Sequence, residues 1–326
     1  MAADKSTGLT LQLIREAHAR IRDKIHRTPL MTSEALDELC GRRLYFKCEN
    51  LQKAGAFKAR GATNAVFLLS DSQAARGVVT HSSGNHAAAL ARAAKLRGIA
   101  AYIVMPRNAP AAKQAAVRRY GGEVLLCEPT LAARESTARE VQEKTRAEFI
   151  HPYNDLRVMA GQGTSALEML EQQPDLDAIL CPVGGGGNLA GMAVAAKSVK
   201  PAIRVWGVEP RGADDAARSF SSGKIEPLGE PRTIADGLRT SLGELPFAEI
   251  KRYVDGIITV SEEDILRATR LIWEVLKLVV EPSGAVPYAA MLDGPSVQSR
   301  ALPERIGILL SGGNLDLDRT PWQPAI

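Results

Sequence analysis

Four consecutive glycines, Gly184 to Gly187, are the most unusual local feature of this 326-residue chain. They follow the apolar run "DAILCPV" and precede "NLAGMAVAAKSV", so they form a turn between a predicted strand and a predicted helix. A flexible linker would lie among polar residues instead. A P-loop is excluded because Asn188 and Leu189 stand where it needs Lys and Ser or Thr. A dinucleotide-binding turn stays open, but the position favours a phosphate cup of backbone N–H groups at a helix N-terminus.

Lys58 is a second candidate for chemistry. It lies in "AGAFKARGA", directly after Phe57, where a helix is predicted to begin. Most lysines are solvated surface residues, and this interpretation stays open. The small and apolar neighbours instead favour a desolvated amine, whose lowered pKa suits imine formation with a carbonyl compound. A phosphate cup together with such a lysine indicates pyridoxal 5'-phosphate (PLP).

Apolar runs and amphipathic segments alternate along the chain, and the apolar runs are predicted strands. These runs lie at 43–50, 77–82, 100–106, 123–129, 177–184, 204–210 and 305–313. Continuous apolar strands separated by helices indicate an α/β fold whose mostly parallel sheets are covered on both faces. Ligands of such folds bind beyond the carboxyl ends of strands. Four turns occupy such positions: "THSSGNHAA", "CPVGGGGNLAG", "GVEPRGADD" and "LLSGGN".

Composition and charge exclude several classes of protein. The formal charge of +4, from 41 basic and 37 acidic residues, is too balanced to predict nucleic-acid binding. No apolar run approaches the length of a membrane span, and the N-terminal segment has the pattern of an amphipathic helix, not of a signal peptide. The four cysteines form no C-x-x-C pair and are predicted to be reduced, buried thiols. We therefore expect a cytoplasmic protein.

Five segments together resemble the fold type II PLP-dependent enzymes. They are "AGAFKARGA", "THSSGNHAAALA", "PVGGGGNLAG", "EPRGADDA" and "LLSGGNLD". The pattern is most similar to the family of eukaryotic-type serine racemases and serine/threonine dehydratases, and the similarity covers nearly the whole chain. The resemblance implies a tryptophan synthase β-like α/β fold with open, mostly parallel sheets. It also implies a large PLP-binding domain of residues 1–76 and 152–326, a smaller mobile domain of residues 77–151, and a homodimer.

The resemblance also assigns catalytic and cofactor-binding roles. Lys58 carries PLP and removes a proton from one face of the substrate α-carbon, and Ser83 returns a proton to the other face. Ser311 faces the pyridine nitrogen, where a hydroxyl makes the ring a weaker electron sink than a carboxylate would. Ser83 is also interpreted as a helix N-cap. The implied cofactor contacts are Phe57, Lys58, Asn85, Gly184, Gly185, Gly186, Gly187, Asn188, Gly237 and Ser311.

Glu209 and Asp215 are the candidate metal ligands. Paired carboxylates in a turn are usually just solvated, yet oxygen ligands from a loop suit Mg²⁺, Ca²⁺ or Mn²⁺. By resemblance, the backbone carbonyl of Ala213 completes the set. The resemblance makes such an ion structural or activating and not catalytic.

The substrate is predicted to contact residues of the serine turn and of the smaller domain. The implied contacts are Ser82, Ser83, Asn85, His86 and Arg134. His86 is also interpreted as a simple loop histidine, and Arg134 as a helix-surface arginine. The chain departs from the common motif SSGNHGQ at Ala87 and Ala88. Because this departure removes a polar side chain from a region linked to nucleotide binding in animal racemases, the resemblance gives only weak support for activation by ATP.

The implied reaction is interconversion of L- and D-serine, together with elimination of ammonia from L-serine or L-threonine to give pyruvate or 2-oxobutanoate. An L-threo-3-hydroxyaspartate ammonia-lyase is the alternative, and it needs an extra cation at the substrate side chain, from Arg134 or Arg157. A dedicated threonine/serine dehydratase without racemase activity also stays open. Outside this class, the competing hypotheses are a PLP-binding amino-acid sensor without turnover and a nicotinamide-dependent dehydrogenase. The intact set of Lys58, Ser83 and Ser311 argues against the sensor.

Overall fold

The computed structural model describes residues 8–292, 302–318 and 320–322. Its strands, numbered along the chain, are β1 (Leu30–Met31), β2 (Arg43–Cys48), β3 (Val78–His81), β4 (Ala101–Pro106), β5 (Glu123–Cys127), β6 (Glu148–Phe149), β7 (Ala178–Pro182), β8 (Arg204–Pro210), β9 (Gly256–Val260) and β10 (Arg305–Leu310). Each of the seven predicted strands overlaps one of these strands.

The α-helices fill the segments between the strands. They are α1 (Leu11–Ile21), α2 (Glu34–Cys40), α3 (Lys58–Leu68), α4 (Asp71–Ala74), α5 (Asn85–Arg97), α6 (Ala111–Arg119), α7 (Leu131–Thr145), α8 (Leu156–Gln172), α9 (Gly187–Val199), α10 (Asp215–Ser222), α11 (Glu244–Tyr253), α12 (Glu262–Leu271) and α13 (Pro282–Leu292). The predicted amphipathic helix near the N-terminus corresponds to α1, while residues 1–7 lie outside the described residues.

The described strands form two sheets. The larger has the order β1-β2-β10-β7-β8-β9, and the smaller has the order β5-β4-β3-β6. Neighbouring strands run parallel except for β1 and β2, which pair antiparallel. The predicted α/β class with mostly parallel sheets is therefore confirmed, and the turns of interest follow the carboxyl ends of β3, β7, β8 and β10.

The smaller sheet takes all its strands from residues 78–149. Its apolar core also includes Ala62 and Val66 of α3 and Val158 of α8, so α3 packs between this sheet and the rest of the chain. The domain boundaries at residues 77 and 151, and the mobility of the smaller domain, stay predictions.

Helices α3, α8 and α9 pack with their backbones unusually close together. A Cβ atom on Gly191 of α9 would lie 2.3 Å from the carbonyl oxygen of Met159 in α8. A Cβ atom on Gly161 of α8 would lie 2.6 Å from the Cα of Gly61 in α3. Only glycine allows such approaches without displacement of the backbone. Since α3 and α9 both begin at candidate site residues, this packing fixes those residues relative to each other.

Two predictions about the chain as a whole can be compared with the structure. Among the described residues, no helix combines the length and apolar composition needed to cross a bilayer. The four cysteines are free thiols. Cys48, Cys127 and Cys181 are buried, as predicted, whereas the prediction is wrong for Cys40, which is only half-buried.

Candidate active site

Lys58 is the first residue of α3, and contacts on both sides fix its position. The backbone N–H of Phe57 donates a hydrogen bond of 2.9 Å to the carbonyl oxygen of Ser311, directly after β10. The Nζ of Lys58 donates to the carbonyl oxygen of Pro152 at 2.7 Å. Lys58 and Ser311 are 253 positions apart in the sequence. The structure therefore brings the candidate lysine next to a distant segment of the chain.

The Lys58 amine has no carboxylate partner among the described residues. Its Nζ lies 5.0 Å from the centroid of the Phe57 ring, an aromatic contact that adds no negative charge. Burial lowers the pKa of Lys58 to about 8, because desolvation penalises the charged form of an amine. Near neutral pH a substantial fraction of this amine is therefore uncharged and nucleophilic.

The turn of residues 82–85 connects β3 to α5. The Ser82 N–H donates to the carbonyl oxygen of Val104 at 3.1 Å, and the Ser82 hydroxyl accepts from the Gly84 N–H at 3.4 Å. The N-cap of α5 is Gly84, so the interpretation of Ser83 as the N-cap is wrong: the helix begins one residue later. The Ser83 hydroxyl has no hydrogen-bond partner among the described residues and is free to contact a ligand.

His86 is buried, with 1% of its surface exposed. Its Nε2 lies 3.3 Å from the carbonyl oxygen of Ile150. Burial, followed by the charge of Lys58, holds the pKa of His86 well below its usual value, so the ring is neutral. His86 is the second residue of α5, so the interpretation as a loop histidine is wrong. Contact between His86 and the substrate stays a prediction.

Asn85 is half-buried and belongs to a polar group that also contains the buried Glu281. The Nδ2 of Asn85 donates to Glu281 Oε1 at 2.8 Å, and the Oδ1 of Asn85 accepts from Asn314 Nδ2 at 2.9 Å. Burial raises the pKa of Glu281 to about 8. Glu281 could not be recognised from the sequence, because a single acidic residue in "VVEPSGA" belongs to no motif.

The glycine turn joins β7 to α9 and is buried. Gly186 is the N-cap of α9 and has φ of 85°, in the left-handed region that favours glycine. A Cβ atom on Gly184 would lie 2.9 Å from Thr240 Oγ1, and one on Gly185 would lie 2.3 Å from Cγ of Tyr153. The first N–H groups of an α-helix have no partner within the helix, so this turn presents donors suited to an anion.

Asn188 and Gly237 lie beside the glycine turn. The Nδ2 of Asn188 donates to the Sγ of Cys181 at 3.4 Å, and its buried Oδ1 has no partner among the described residues. The Gly237 N–H donates to Ser283 Oγ at 2.9 Å. The carbonyl oxygen of Gly237 would lie 3.5 Å from a Cβ atom on Gly184, so both predicted residues are next to the turn.

The segment of residues 151–154 connects the lysine to the glycine turn. The Nδ1 of His151 accepts hydrogen bonds from the N–H groups of Tyr153 and Asn154 at 3.3 and 2.8 Å. Burial lowers the pKa of His151 to about 4, so the ring is neutral and carries its proton on Nε2. The role of Pro152 could not be predicted from the sequence, because the partner of Lys58 is its backbone carbonyl and not a side chain.

The two candidate cations for a substrate side chain differ in their surroundings. Arg134 of α7 is half-buried, and its Nε has no hydrogen-bond partner among the described residues. Burial lowers the pKa of His81, the last residue of β3, and the positive charge of Arg134 lowers it further. The guanidinium of Arg134 therefore lies close enough to the end of β3 to act on His81. Arg157 instead forms ion pairs with Glu148 and Asp155 at 2.9 and 2.7 Å. Arg134 is therefore the better candidate.

Glu209, the first predicted metal ligand, lies at the carboxyl end of β8 and is fully buried. Its carboxylate accepts hydrogen bonds from the N–H groups of Ala216 and Ala217 at 3.2 and 2.9 Å. Burial raises the pKa of Glu209 to about 9, and the neighbouring Asp215 adds to the increase. A buried carboxyl with so high a pKa lacks a nearby positive charge.

Asp215, the second predicted metal ligand, is the first residue of α10. Its Oδ2 accepts from the Leu242 N–H at 2.9 Å, while its buried Oδ1 has no partner among the described residues. Burial also raises the pKa of Asp215. Among the described residues, no group of three or more His, Cys, Asp or Glu side chains could hold a metal ion, so a site here would need backbone oxygens such as that of Ala213.

Comparison with protein families identifies the class of this fold. The family model for "Pyridoxal-phosphate dependent enzyme" matches residues 21–312. The chain belongs to this family. PLP is accordingly its cofactor, and the predicted fold type II architecture is confirmed.

Three members of the family are particularly similar. The serine racemase of Arabidopsis thaliana is 54% identical over 306 residues, which cover 93% of this chain and 92% of that protein. The beta-hydroxyaspartate dehydratase of Paracoccus denitrificans (strain Pd 1222) is 51% identical over 306 residues, with 94% of this chain and 96% of that protein covered. The solved structure of maize serine racemase has a TM-score of 0.94 at 50% identity and covers 95% of both chains.

We predict that the rate at which the PLP-free protein recombines with PLP rises with pH and levels off above about pH 8. The reason is that only the neutral amine attacks a carbonyl group, and burial brings the pKa of Lys58 to about 8. An ordinary lysine, with a pKa of about 10.4, would give a rate that still rises at pH 10. Stopped-flow absorbance of bound PLP measures the rate, and Lys58→Ala, which cannot attach PLP covalently, is the control.

Proposed function

We propose that this chain racemises serine and eliminates ammonia from L-serine and L-threonine, with PLP attached to Lys58. The observation that carries the proposal is the convergence of the lysine and the serine turn on one short segment. Lys58 donates to the carbonyl of Pro152, and His86, three residues after Ser83, contacts the carbonyl of Ile150. The amine of Lys58 can lose its charge, and the hydroxyl of Ser83 is unengaged. The names of the similar serine racemases support the same reading.

The described residues fit the cofactor. The buried Lys58 amine lacks an anionic partner and would hold the aldehyde carbon of PLP, while the N–H groups of the glycine turn and of Asn188 would hold the phosphate. Phe57 and Gly237 would lie beside the ring, Asn85 would contact the ring hydroxyl and Ser311 the ring nitrogen. When bound, PLP withdraws electrons from the bonds of the substrate α-carbon and makes its proton acidic.

The side chains then need only to move protons. Lys58, as a neutral amine, accepts the α-proton at Nζ, and the Ser83 hydroxyl donates a proton to the opposite face of the same carbon. Protonation from the Ser83 side inverts the configuration, and protonation from the Lys58 side restores it. If the β-hydroxyl takes up a proton and leaves as water before either event, the substrate is released as an enamine, and hydrolysis of this enamine by water gives the keto acid and ammonia. Ser82 and His86 would support the substrate from the same turn.

Product analysis tests the proposal directly. The purified protein with PLP and Mg²⁺ is given L-serine, L-threonine or L-threo-3-hydroxyaspartate in separate reactions, and keto acid and D-serine are measured in each. D-Serine together with pyruvate supports the bifunctional enzyme. Keto acid without D-serine would instead indicate a dedicated dehydratase, and PLP binding without any product would indicate a sensor.

We predict that Ser83→Ala lowers D-serine formation from L-serine by about 100-fold or more, because an acid–base group typically contributes that much. Pyruvate formation should fall far less, since Lys58 still removes the α-proton. The measurement is the ratio of D-serine to pyruvate in the same reaction. Ser136→Ala, at an exposed serine of α7, is the matched control and should leave the ratio unchanged. An unchanged ratio in Ser83→Ala would refute the two-base scheme.

The surroundings of Arg134 favour a second candidate substrate, L-threo-3-hydroxyaspartate. This substrate carries an additional carboxylate, and the half-buried guanidinium of Arg134 has an unpaired Nε. A carboxylate is the usual partner of such a group. The beta-hydroxyaspartate dehydratase among the similar proteins supports the same candidate.

We predict that Arg134→Gln lowers kcat/KM for L-threo-3-hydroxyaspartate about 10- to 100-fold, in line with the roughly 1.5–3 kcal/mol of a hydrogen bond to a charged group. The value for L-serine, which has no second carboxylate, should change much less. Arg139→Gln, at an exposed arginine of the same helix, is the control. Equal losses for both substrates would show that Arg134 does not select the side chain.

Glu209, Asp215 and the carbonyl of Ala213 are proposed to bind Mg²⁺, Ca²⁺ or Mn²⁺. Two buried carboxyl groups with raised pKa values lie close enough to interact, and one oxygen of Asp215 is unpaired. A divalent cation would supply positive charge between the two carboxyl groups, and the unpaired oxygen of Asp215 would be one of its ligands. It would act by holding the turn after β8 in place.

We predict that Mg²⁺ raises the melting temperature, and does so more at about pH 8.5 than at about pH 6. Without the cation, the folded pKa of Glu209 lies above the unfolded value, so stability falls as pH rises from about 4.5 towards 9. In Glu209→Gln, the loss of stability with rising pH and the stabilisation by Mg²⁺ should both disappear. Thermal unfolding at the two pH values measures both effects. Asp214→Asn, at the adjacent carboxylate that pairs with Arg218, is the control and should keep both. A shift with Mg²⁺ that survives Glu209→Gln would place the ion elsewhere.

The remaining expectations stay predictions. They are a homodimer, a cytoplasmic location and the weakly supported activation by ATP. A small amino acid as substrate follows from the family, whereas the choice among serine, threonine and 3-hydroxyaspartate rests on the experiments above.

A further inference from the structure

A cluster of four buried charges lies behind the candidate active site. Lys47, Glu49 and Arg60 are 0% exposed, and Glu168 is 2% exposed. They come from the end of β2, from the residue that follows it, from the first turn of α3 and from α8. We call these four residues the buried ion cluster. Its two positive and two negative charges sum to zero.

The guanidinium of Arg60 uses all five of its N–H donors. Its Nε and Nη2 donate to the two oxygens of Glu49 at 2.8 and 2.7 Å. Its Nη1 and Nη2 donate to the two oxygens of Glu168 at 2.8 and 2.7 Å. The last donor, on Nη1, bonds to Thr164 Oγ1 at 3.0 Å. Only a planar guanidinium can satisfy two carboxylates in this way.

Lys47 completes the cluster from β2. Its ammonium donates to Glu168 Oε2 at 2.8 Å, to the Thr28 carbonyl oxygen at 2.8 Å and to Gln172 Oε1 at 2.9 Å. All three of its donors are therefore used. Lys47 shares Glu168 with Arg60 but contacts α3 only through that carboxylate.

Stability alone does not explain this arrangement. Buried ion pairs are often no more stabilising than apolar side chains of the same size, because desolvation of the charges offsets their attraction. What such a network does supply is a defined geometry, since every bond in it is directional. The question is which part of the molecule needs that geometry.

Helix α3 needs an anchor at its beginning. It starts without a side-chain cap, and Ala54, four residues before Lys58, has φ of 57°. The segment before the helix is thus irregular, although the backbone hydrogen bonds of Phe57 with Ser311 and of Gly55 with Gly313 tie it to the chain after β10. Arg60 adds contacts between the first turn of the helix and other elements. Arg60 follows Lys58 by two positions, which is about 200° around a helix, so the two side chains leave α3 on nearly opposite sides. Arg60 points into the ion cluster, and Lys58 points towards Pro152.

We propose that Arg60 is a positioning residue that sets where the Lys58 amine lies. By binding Glu49, directly after β2, and Glu168 of α8 simultaneously, it fixes the rotation and the depth of the first turn of α3. It acts through geometry and not through its charge, because the cluster is neutral overall. In agreement, burial is the cause that lowers the pKa of Lys58. This inference rests on the proposed role of Lys58 as the PLP-bearing residue.

The test compares Arg60→Lys with Lys47→Met. Arg60→Lys keeps the positive charge but has at most three donors and no planar fork, so the first turn of α3 can shift. We expect kcat to fall about 10- to 100-fold, the size of effect that a misplacement of about 1 Å causes, with little change in KM. Lys47→Met perturbs the same cluster from β2 and should lower the melting temperature while leaving kcat close to the wild-type value.

A second readout follows the amine itself. The pH midpoint of PLP recombination reports the surroundings of the Lys58 amine, so it should shift in Arg60→Lys and stay in place in Lys47→Met. If both variants lose kcat in proportion to their loss of stability, or if Arg60→Lys keeps the wild-type kcat and midpoint, the inference is overturned. Should Arg60→Lys fail to fold, Thr164→Val removes a single bond of Arg60 and should give the same pattern of changes, smaller in size.

Failure of the inference can be told apart from failure of the proposed function. Borohydride reduction of the wild-type protein with PLP, followed by mass spectrometry of its peptides, shows whether the pyridoxyl group is on Lys58. If the pyridoxyl group is not on Lys58, the proposed function is refuted, and the role proposed for Arg60 is refuted with it. Its presence in the wild type, with unchanged kinetics in Arg60→Lys, would overturn the inference alone.

Discussion

The amine of the half-buried Lys58 has a backbone carbonyl but, in the described parts of the chain, no carboxylate as its partner, and the site depends on this constraint. A carboxylate partner would hold the amine in its charged form and prevent it from acting as a nucleophile or as a base. With only the Pro152 carbonyl at 2.7 Å, burial controls the protonation state. The rest of the fold must therefore bury this residue without giving it a counter-charge.

The molecule treats its other buried charges in two different ways. In the buried ion cluster, each positive charge meets a negative one and each donor is used, so the group is suited to hold helices in place. At Glu209 and Asp215 burial raises the pKa values, and neither carboxyl forms an ion pair among the described residues. Balanced buried charges thus coincide with the positioning role proposed for Arg60, while the unbalanced ones coincide with the positions proposed to bind a ligand. Lys58 belongs to the unbalanced class.

Much of the fold could be predicted from the sequence because its central strands are continuous apolar runs. β7 and β10 are buried along nearly their whole length and stand between clear helices. The two-residue strands β1 and β6 lack such a pattern and exist through pairing with their neighbours. Helix α8 was equally hard to predict, because its buried residues include Gly161, Gly163 and Thr164, which are unusual in an isolated helix.

The candidate site shows the same division between local and long-range information. Lys58, the glycine turn and the serine turn are recognisable because residue type and local position carry their chemistry. The partners of Arg60 are not, since Glu49 and Glu168 lie 11 and 108 positions away and no motif joins them. The Pro152 carbonyl contributes no side chain at all. Contacts of this kind depend on how helices pack, which local sequence patterns do not specify.

The chain passes from the smaller sheet to the larger one at residues 150–157, and this crossing also carries the partner of Lys58. Asn154 Oδ1 accepts from the Leu245 N–H at 2.9 Å, three residues after Leu242, whose N–H bonds to Asp215. Arg157 binds Glu148 of β6 from the first turn of α8. The smaller sheet and the lysine therefore both contact this short segment, and the segment is linked to Asp215 indirectly, through the chain of residues 242–245. A change in the position of either sheet would move this segment and alter the hydrogen bond between Lys58 and the Pro152 carbonyl. The geometry of the site therefore depends on how the two sheets pack.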